Sequence, residues 1–188
     1  MAELGRVTWP PGPIATDRLL LRPPAARDRA AFVDLYTSPD VGAFTGGARS
    51  REAVERALPA APQERPGHFA IDLDGAMVGT VQLERRDVDY EVRLAAGHVD
   101  LGYLLLPEAW GRGYASEAAK AMVQAGFERL KVERIYAVCE VAHCASARVL
   151  EKVGLRWVRT EIRYYEAKGR WWDMELYELW RAEWEANR

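Results

Sequence analysis

The chain has 188 residues, 49% of them hydrophobic, with 26 basic residues set against 28 acidic ones. That length buries a sizeable core and argues for one domain, while the near-neutral balance, with no long block of like charges, excludes an electrostatic footprint for nucleic acid or an anionic membrane. No secretory-type apolar stretch opens the sequence and no run of about 18 apolar residues supplies a membrane span; two cysteines are too few for a disulfide framework, so a reducing, cytoplasmic setting is expected.

Pro10, Pro11 and Pro13 mark residues 1–15 as an irregular leader, and the body runs over 16–188. The stretch RLLLR (18–22) reads as a short strand. Ala26, Ala30, Phe32, Val33 and Tyr36 then recur as one helical stripe that should end before Pro39. Residues 50–58 read as a second short helix, opened by Ser50 as N-cap and stopped before Pro59. Alternating apolar residues on both sides of Asp74 and Gly75 predict a hairpin. Residues 84–97 are charged, with weak alternation, and no structure is assigned to them. A strand over 98–106 leads to Pro107. The best helix follows Gly113, with Ala115, Ala118, Ala119, Met122, Val123, Phe127 and Leu130 on one face. An apolar run over 134–141 completes a strand, helix, strand unit, hence a parallel pair. A short helix from His143 to its stop at Gly154, and a last hairpin around Gly169, finish the chain.

Cys139, His143 and Cys144 carry zinc-type side chains, but three ligands lack a fourth, and Cys144 has already left the strand that bears Cys139, so no metal is expected. The segment EAWGRGYASEA (108–118) is more informative. Backbone N–H groups at a helix start have no intrahelical partners and sit at the positive end of its dipole. Gly111, Gly113 and Ala115 are small at alternate positions and admit a phosphate closely, and Arg112 adds a permanent charge with a planar fork of donors. The pattern suits a pyrophosphate.

A phosphate loop of the ATP-binding type needs Lys followed by Ser or Thr, which GRGYAS lacks. A nicotinamide-dinucleotide fingerprint is nearer, with Gly111, Gly113 and Ser116 approximating its glycines and Glu140 ending the next strand. Against it stand the PEAW insertion after the strand, serine at the third glycine, and the single strand, helix, strand unit.

LGYLLLPEAWGRGYASEA resembles the acetyl-CoA loop of the GNAT superfamily of N-acetyltransferases, whose pattern is Gln or Arg, two residues, Gly, any residue, then Gly or Ala. Trp110, Gly113 and Ala115 take those places, with Trp110 a departure. TDRLLLRPP, SARVLEKVGL and LWRAEWEA are similar to marks of the ribosomal-protein-alanine acetyltransferase branch, so the resemblance runs over 16–186. It implies an α/β (α+β) fold: a mixed, mostly antiparallel sheet of six to seven strands, with a central parallel pair that splays apart, flanked by about four helices.

Acetyl-CoA is then the implied co-substrate. By position, the backbone of Tyr103, Leu104 and Leu105 would hydrogen-bond the pantetheine and the acetyl oxygen, with a Leu105 amide as oxyanion donor. Trp110, Gly111, Arg112, Gly113, Tyr114, Ala115 and Ser116 would cradle the pyrophosphate. His143 stands where the family has Asn and either contacts the cofactor or merely caps the helix. Leu150 stands where many members carry a general-acid tyrosine. That leaves Ser146 either to steady the leaving sulfur or only to contact the cofactor.

The amine must also lose a proton, and at pH 7 that costs about 4.6 kcal/mol for a lysine side chain but only about 1 for an α-amino group. Asp100 matches an acid seen in this branch and either relays that proton through water or is a solvated strand-end carboxylate; Glu84 and His98 are weaker rivals. Tyr164, Tyr165, Trp171 and Trp172 either wall an acceptor pocket or pack as core.

The expected activity is direct acetyl transfer from acetyl-CoA to a primary amine, a peptide or protein N-terminus being favoured and a small-molecule amine the alternative acceptor. Neither cysteine serves as nucleophile. The rival readings are an acyl-CoA-binding module without turnover and a nicotinamide-dinucleotide-binding protein. The tryptophan-rich tail and residues 84–97 are the expected carriers of a homodimer contact.

Overall fold

Two hairpins form where the backbone must enter left-handed space. Asp74 and Gly75 (φ 52° and 90°) and Lys168 and Gly169 (φ 52° and 71°) are two-residue turns with both central φ values positive, the hand that matches strand twist. They join β3 (His68–Leu73) to β4 (Ala76–Glu84), and β7 (Arg156–Ala167) to β8 (Arg170–Trp180). The computed structural model describes residues 13–58, 65–84 and 97–187. Most of the expected leader, and residues 85–96 of the charged segment, lie outside the described residues.

With β1 (Ile14–Ala15), β2 (Leu20–Arg22), β5 (His98–Leu105) and β6 (Arg134–Glu140), the strands make one 8-stranded sheet in the order β1, β2, β3, β4, β5, β6, β8, β7. Among the described residues, only β5 and β6 pair in parallel. β1 pairs with β2 through Ile14 and Leu21, so the ordered sheet starts slightly earlier than the proline pattern suggests. The last hairpin folds back so that β8, with Trp172, Met174, Leu176, Tyr177 and Leu179 buried, lies inside, and the charged β7 forms the edge. Charge on an edge strand discourages pairing with another chain.

Helices cover both faces. α4 (Tyr114–Glu128) and α5 (Cys144–Lys152) pack on one. Phe127, Met122, Ala118 and Ala119 of α4 are fully buried there against Leu83, Leu101 and Ile135. Each large apolar side chain so buried contributes about 1.5–3 kcal/mol relative to exposure. α1 (Arg29–Thr37), α2 (Pro39–Gly42) and α3 (Arg51–Ala57) belong to the other layer, where Phe32, Leu35 and Val41 meet Ala70, Met77 and Leu106. A short α6 (Arg181–Ala186) follows β8, fastened by Arg181, whose guanidinium donates to the carbonyls of Phe127 and Val132.

Helix ends follow local chemistry. Ser50 caps α3 by accepting from Ala53 N–H, and Gly154 (φ 95°) ends α5. Pro39, expected only as a stop, also opens α2: Ser38 caps it and proline occupies the first turn, where its missing N–H costs nothing. α2 and α6 raise the helices to six among the described residues, against the four expected.

Candidate active site

The parallel pair holds only over His98 with Arg134, Val99 with Ile135 and Asp100 with Tyr136. Beyond Asp100 the strands part. β5 continues against β4 through Leu105, and β6 continues against β8 through Glu140, so residues 101–105 and 137–140 face each other across a gap. Leu106 N–H donates to the Val78 carbonyl at 2.9 Å. Because alternate residues of a strand turn their amides to opposite edges, those of Tyr103 and Leu105 point away from β4, into the gap. Val78 itself is the extra residue of a bulge between the pairs Ile71 with Gly79 and Asp72 with Met77.

A cleft of about 630 Å³ occupies this gap, and its walls include Leu101, Gly102, Tyr103, Leu104, Ala137, Cys139, Glu140, His143, Ser146 and Leu150. At one end of β5, Pro107–Ala109 forms a 3₁₀ turn, and the Trp110 indole N–H donates to the Leu105 carbonyl at 2.9 Å. Trp110 thus ties the turn to the strand, in place of a charged side chain aimed at a phosphate. Gly111 and Gly113 both have positive φ (73° and 82°), and Gly113 is the N-cap of α4 without any side-chain cap. A Cβ on Gly111 would meet nothing within 4 Å. The turn therefore presents small, exposed backbone ahead of the first-turn amides of Tyr114, Ala115 and Ser116, which have no intrahelical acceptors.

A clamp from the start of the chain holds this turn. Glu117, in the first turn of α4, accepts from Thr16 Oγ1 (2.6 Å), Arg18 N–H (2.8 Å) and Arg18 Nε (2.7 Å). Arg18 Nη1 donates to the Arg112 carbonyl at 3.0 Å, and the guanidinium lies over the Tyr114 ring. Burial pushes the Glu117 carboxyl upward, but the bonds from Thr16 and Arg18 outweigh it and hold the group below its ordinary value. The Arg112 carbonyl is thereby fixed by Arg18, next to the glycine that caps α4.

On the α4 and α5 face of the gap, Tyr103 Oη lies 2.9 Å from Ser146 Oγ and 3.1 Å from the Ser146 carbonyl. Leu150, one turn further along α5, is buried. Cys139 is buried beside them, and burial above all pushes its thiol up to about 12. Such a thiol stays protonated and is a poor nucleophile. Cys144 is exposed at the start of α5. Among the described residues, no three or more His, Cys, Asp or Glu side chains gather into a metal-binding group.

The opposite face differs in character. Tyr36, Phe44, Thr45, Arg49, Tyr164 and Tyr165 line the cleft there, with Glu140 the carboxylate among the lining residues. Glu140 Oε2 accepts from Ala142 N–H at 2.9 Å, and Arg170 stands 3.6 Å from Oε1. The segment 43–49 forms a strap over this side: the Lys168 amine donates to the Ala48 carbonyl, and Phe44 stacks on His143 with centroids 4.0 Å apart and planes 7° from parallel. His143 is the N-cap residue of α5, yet its ring makes no capping bond, and burial lowers its pKa.

The expected site residues therefore separate. Tyr103, Leu104, His143 and Ser146 line one cleft, and residues 110–116 form the turn beside it. Asp100 is buried where the strands part, next to the cleft-lining Leu101 and Gly102, and is not itself among the described lining residues. Glu84 accepts from the cleft-lining Gln82 and bonds to His68, while His98 packs edge-on against Trp180; neither Glu84 nor His98 is itself among the described lining residues. Of the four hairpin aromatics, Tyr164 and Tyr165 line the cleft, Trp172 is buried and stacked on Tyr165, and Trp171 is exposed under Arg163. Glu140 as a cleft carboxylate, Phe44 with its strap, and Arg18 with Glu117 were not expected. Glu140 has a sequence signal, since it ends the strand after the best helix, where ligands gather in open sheets.

The family model described as Acetyltransferase (GNAT) domain matches residues 18–156. The uncharacterized N-acetyltransferase YoaA of Bacillus subtilis is 28% identical over 177 residues, which is 88% of this chain and 95% of that protein. YnaD, an uncharacterized N-acetyltransferase of the same organism, is 33% identical over 85 residues, 45% of this chain and 50% of that one, so this match spans half of its length. The crystal structure of a GNAT-family acetyltransferase from Bacillus anthracis superposes with a TM-score of 0.76 at 26% identity, covering 91% of this chain and 99% of that chain. The lone parallel pair among the described strands, by contrast, is not the run of parallel strands that a nicotinamide-dinucleotide fold requires. The match covers most of the chain and includes both the turn and the splayed strands: the chain belongs to the GNAT family of acetyltransferases, whose members take the acetyl group from acetyl-CoA.

Proposed function

We propose that the chain transfers an acetyl group directly from acetyl-CoA to a primary amine, and that the α-amine of a peptide or protein is the preferred acceptor. The reading is carried by the cleft at the splayed pair. One wall offers unpaired strand amides and two hydroxyls; the other is aromatic and holds one carboxylate. Acetyl-CoA fits the residues present: the diphosphate belongs at Gly111, Arg112, Gly113, Tyr114, Ala115 and Ser116, whose glycine cap leaves amides without acceptors. The pantetheine belongs along Tyr103, Leu104 and Leu105, with the Leu105 amide facing the oxygen that gains charge as the amine attacks.

In that attack the C–N bond forms as the C–S bond breaks, and the electron pair leaves with sulfur. Ser146 is the hydroxyl assigned to the departing sulfur. Asp100, at the base of the gap, takes the amine proton through water, a task that is small for an α-amine. The high thiol pKa of Cys139 supports direct transfer, because the cysteine that lines the cleft stays a thiol and makes a poor nucleophile. The strap and the aromatic wall favour an acceptor that enters by its end. A partner class follows: a chain terminus or a slim amine, and no nucleic acid.

The test is release of CoA from acetyl-CoA with a panel of peptide N-termini, polyamines and aminoglycosides. Release with peptide termini, carrying the acetyl group on the α-nitrogen by mass spectrometry, is the expected result. Binding of acetyl-CoA with no release for any amine would make the protein an acyl-CoA-binding module. Release confined to polyamines or aminoglycosides would move the acceptor to small molecules.

A further inference from the structure

The tyrosine hydroxyl that crosses the gap has no task in the reaction just described. Tyr103 comes from β5 and Ser146 from α5, 43 residues apart, and their hydroxyls meet at 2.9 Å on the cleft wall. Two hydroxyls share two protons, and the geometry allows two arrangements. In one, Tyr103 donates to the Ser146 carbonyl at 3.1 Å and Ser146 Oγ donates to Tyr103 Oη, so that both protons stay within the protein. In the other, Tyr103 donates to Ser146 Oγ, and the serine proton is free to turn to its neighbour Cys139 or into the cleft.

We propose that Tyr103 is a positioning residue for the leaving group: its O–H donates to Ser146 Oγ, so that the Ser146 O–H points at the sulfur as negative charge builds there. The inference rests on the acetyl-transfer reading of the same cleft. Neither hydroxyl gives up its proton. The C–S electron pair stays on sulfur, CoA departs as a thiolate hydrogen-bonded by Ser146, and the thiolate takes its proton from solvent afterwards. A donor to Ser146 Oγ polarises the Ser146 O–H and strengthens its bond to an anion.

Two observations single out Tyr103 as the hydroxyl donor within reach of Ser146 Oγ. Leu150, the side chain one turn beyond Ser146, has no proton to offer, so the described hydroxyls beside Ser146 on that wall reduce to Tyr103. Burial also raises the Tyr103 phenol well above its ordinary pKa, which keeps it a donor wherever the enzyme works. Both neighbours in the cleft that could compete as acids, Cys139 and His143, are displaced from such a role by burial, the thiol upward and the imidazole downward.

The experiment titrates the thiol of CoA bound to the wild type, Tyr103→Phe, Ser146→Ala and the double variant, reading the ultraviolet absorbance of the thiolate against pH. The phenylalanine variant keeps the ring, and circular dichroism checks that each protein is folded. The bound thiol is expected to titrate lowest in the wild type and about one unit higher in each single variant, a tenfold change in the thiolate equilibrium. kcat is expected to fall about tenfold in each, the effect of losing one hydrogen bond to a charged atom. The double variant should match Ser146→Ala, because Tyr103 acts through the serine.

An unchanged thiol pKa in Tyr103→Phe would overturn the inference, as would effects of the two substitutions that simply add. Failure of CoA to bind the wild type is a different result: it would remove the acetyl-CoA site itself.

Discussion

Replacing Glu117 by alanine removes the acceptor that ties the start of the chain to the turn. Its carboxylate takes a part-buried bond from Thr16 Oγ1 at 2.6 Å and an exposed one from the Arg18 amide at 2.8 Å, plus a guanidinium ion pair at 2.6 Å. Hydrogen bonds to charged groups are worth about 1.5–3 kcal/mol each as an upper range. The Arg18 side chain is 48% exposed, which reduces the ion pair itself to about 0–1 kcal/mol. A total loss of about 2–3 kcal/mol follows once the freed partners regain water. For a chain of this size that is roughly 5–10 °C in Tm, read by thermal melting followed by circular dichroism.

The pH dependence of that loss has a definite sign. Glu117 is held below its ordinary value of 4.5 in the folded chain. Its contribution is therefore complete above that value and is lost as pH falls through the lower, folded value. The Tm gap between wild type and variant should be full at neutral pH and should narrow in acid. Releasing Arg18 also frees the Arg112 carbonyl, so KM for acetyl-CoA should rise severalfold while KM for the amine stays put. An unchanged Tm at neutral pH, or a gap that persists unaltered in acid, would refute the clamp.

A Cβ on Gly42 would lie 2.1 Å from the Ala48 backbone nitrogen, so Gly42→Ala must displace the strap. The expected cost is about 1–3 kcal/mol of stability, with KM for the amine rising more than KM for acetyl-CoA in steady-state assays. Gly113 has φ 82° and would bring a Cβ to 3.4 Å from Arg18 Nη2; Gly113→Ala should weaken acetyl-CoA binding by calorimetry while leaving most of the fold intact. His143 has its pKa lowered by burial, so the folded chain resists protonating it. Denaturant titrations should show wild-type stability falling as pH drops below the usual 6.5, and less so in His143→Gln. A thiol-alkylating reagent should label Cys144 in the native protein and Cys139 only after unfolding, as counted by mass spectrometry.

The centre of the fold was legible because its signals are local. Asp74 and Gly75 demand a tight turn, Gly113 and the apolar face of α4 announce a helix start, and the strands on either side of α4 follow from period and composition. From these the parallel pair could be anticipated. The splay was implied only by the family resemblance, since nothing in residues 98–106 or 134–141 says that pairing stops after Asp100.

What stayed hidden depends on contacts between distant residues. Phe44 and His143 stack across 99 positions, and Arg18 reaches Glu117 across as many. No periodicity marks a strap such as residues 43–49, which carries two glycines and one aromatic ring. Pro39 read as a helix stop because its rigid φ and missing N–H suit a first turn as well as a break. The hydroxyl pair of Tyr103 and Ser146 needed the strand's handedness and register, which place Tyr103 on the α5 face and Asp100 on the other.

A crystal structure of the protein with acetyl-CoA decides whether the gap between β5 and β6 is the donor site. The diphosphate is expected against the amides of residues 111–116 and the thioester in the gap between residues 101–105 and 137–140, within reach of the Leu105 amide and the Ser146 hydroxyl. A ligand bound elsewhere, with β5 and β6 closed over the gap and those amides bonded to the protein, would contradict it.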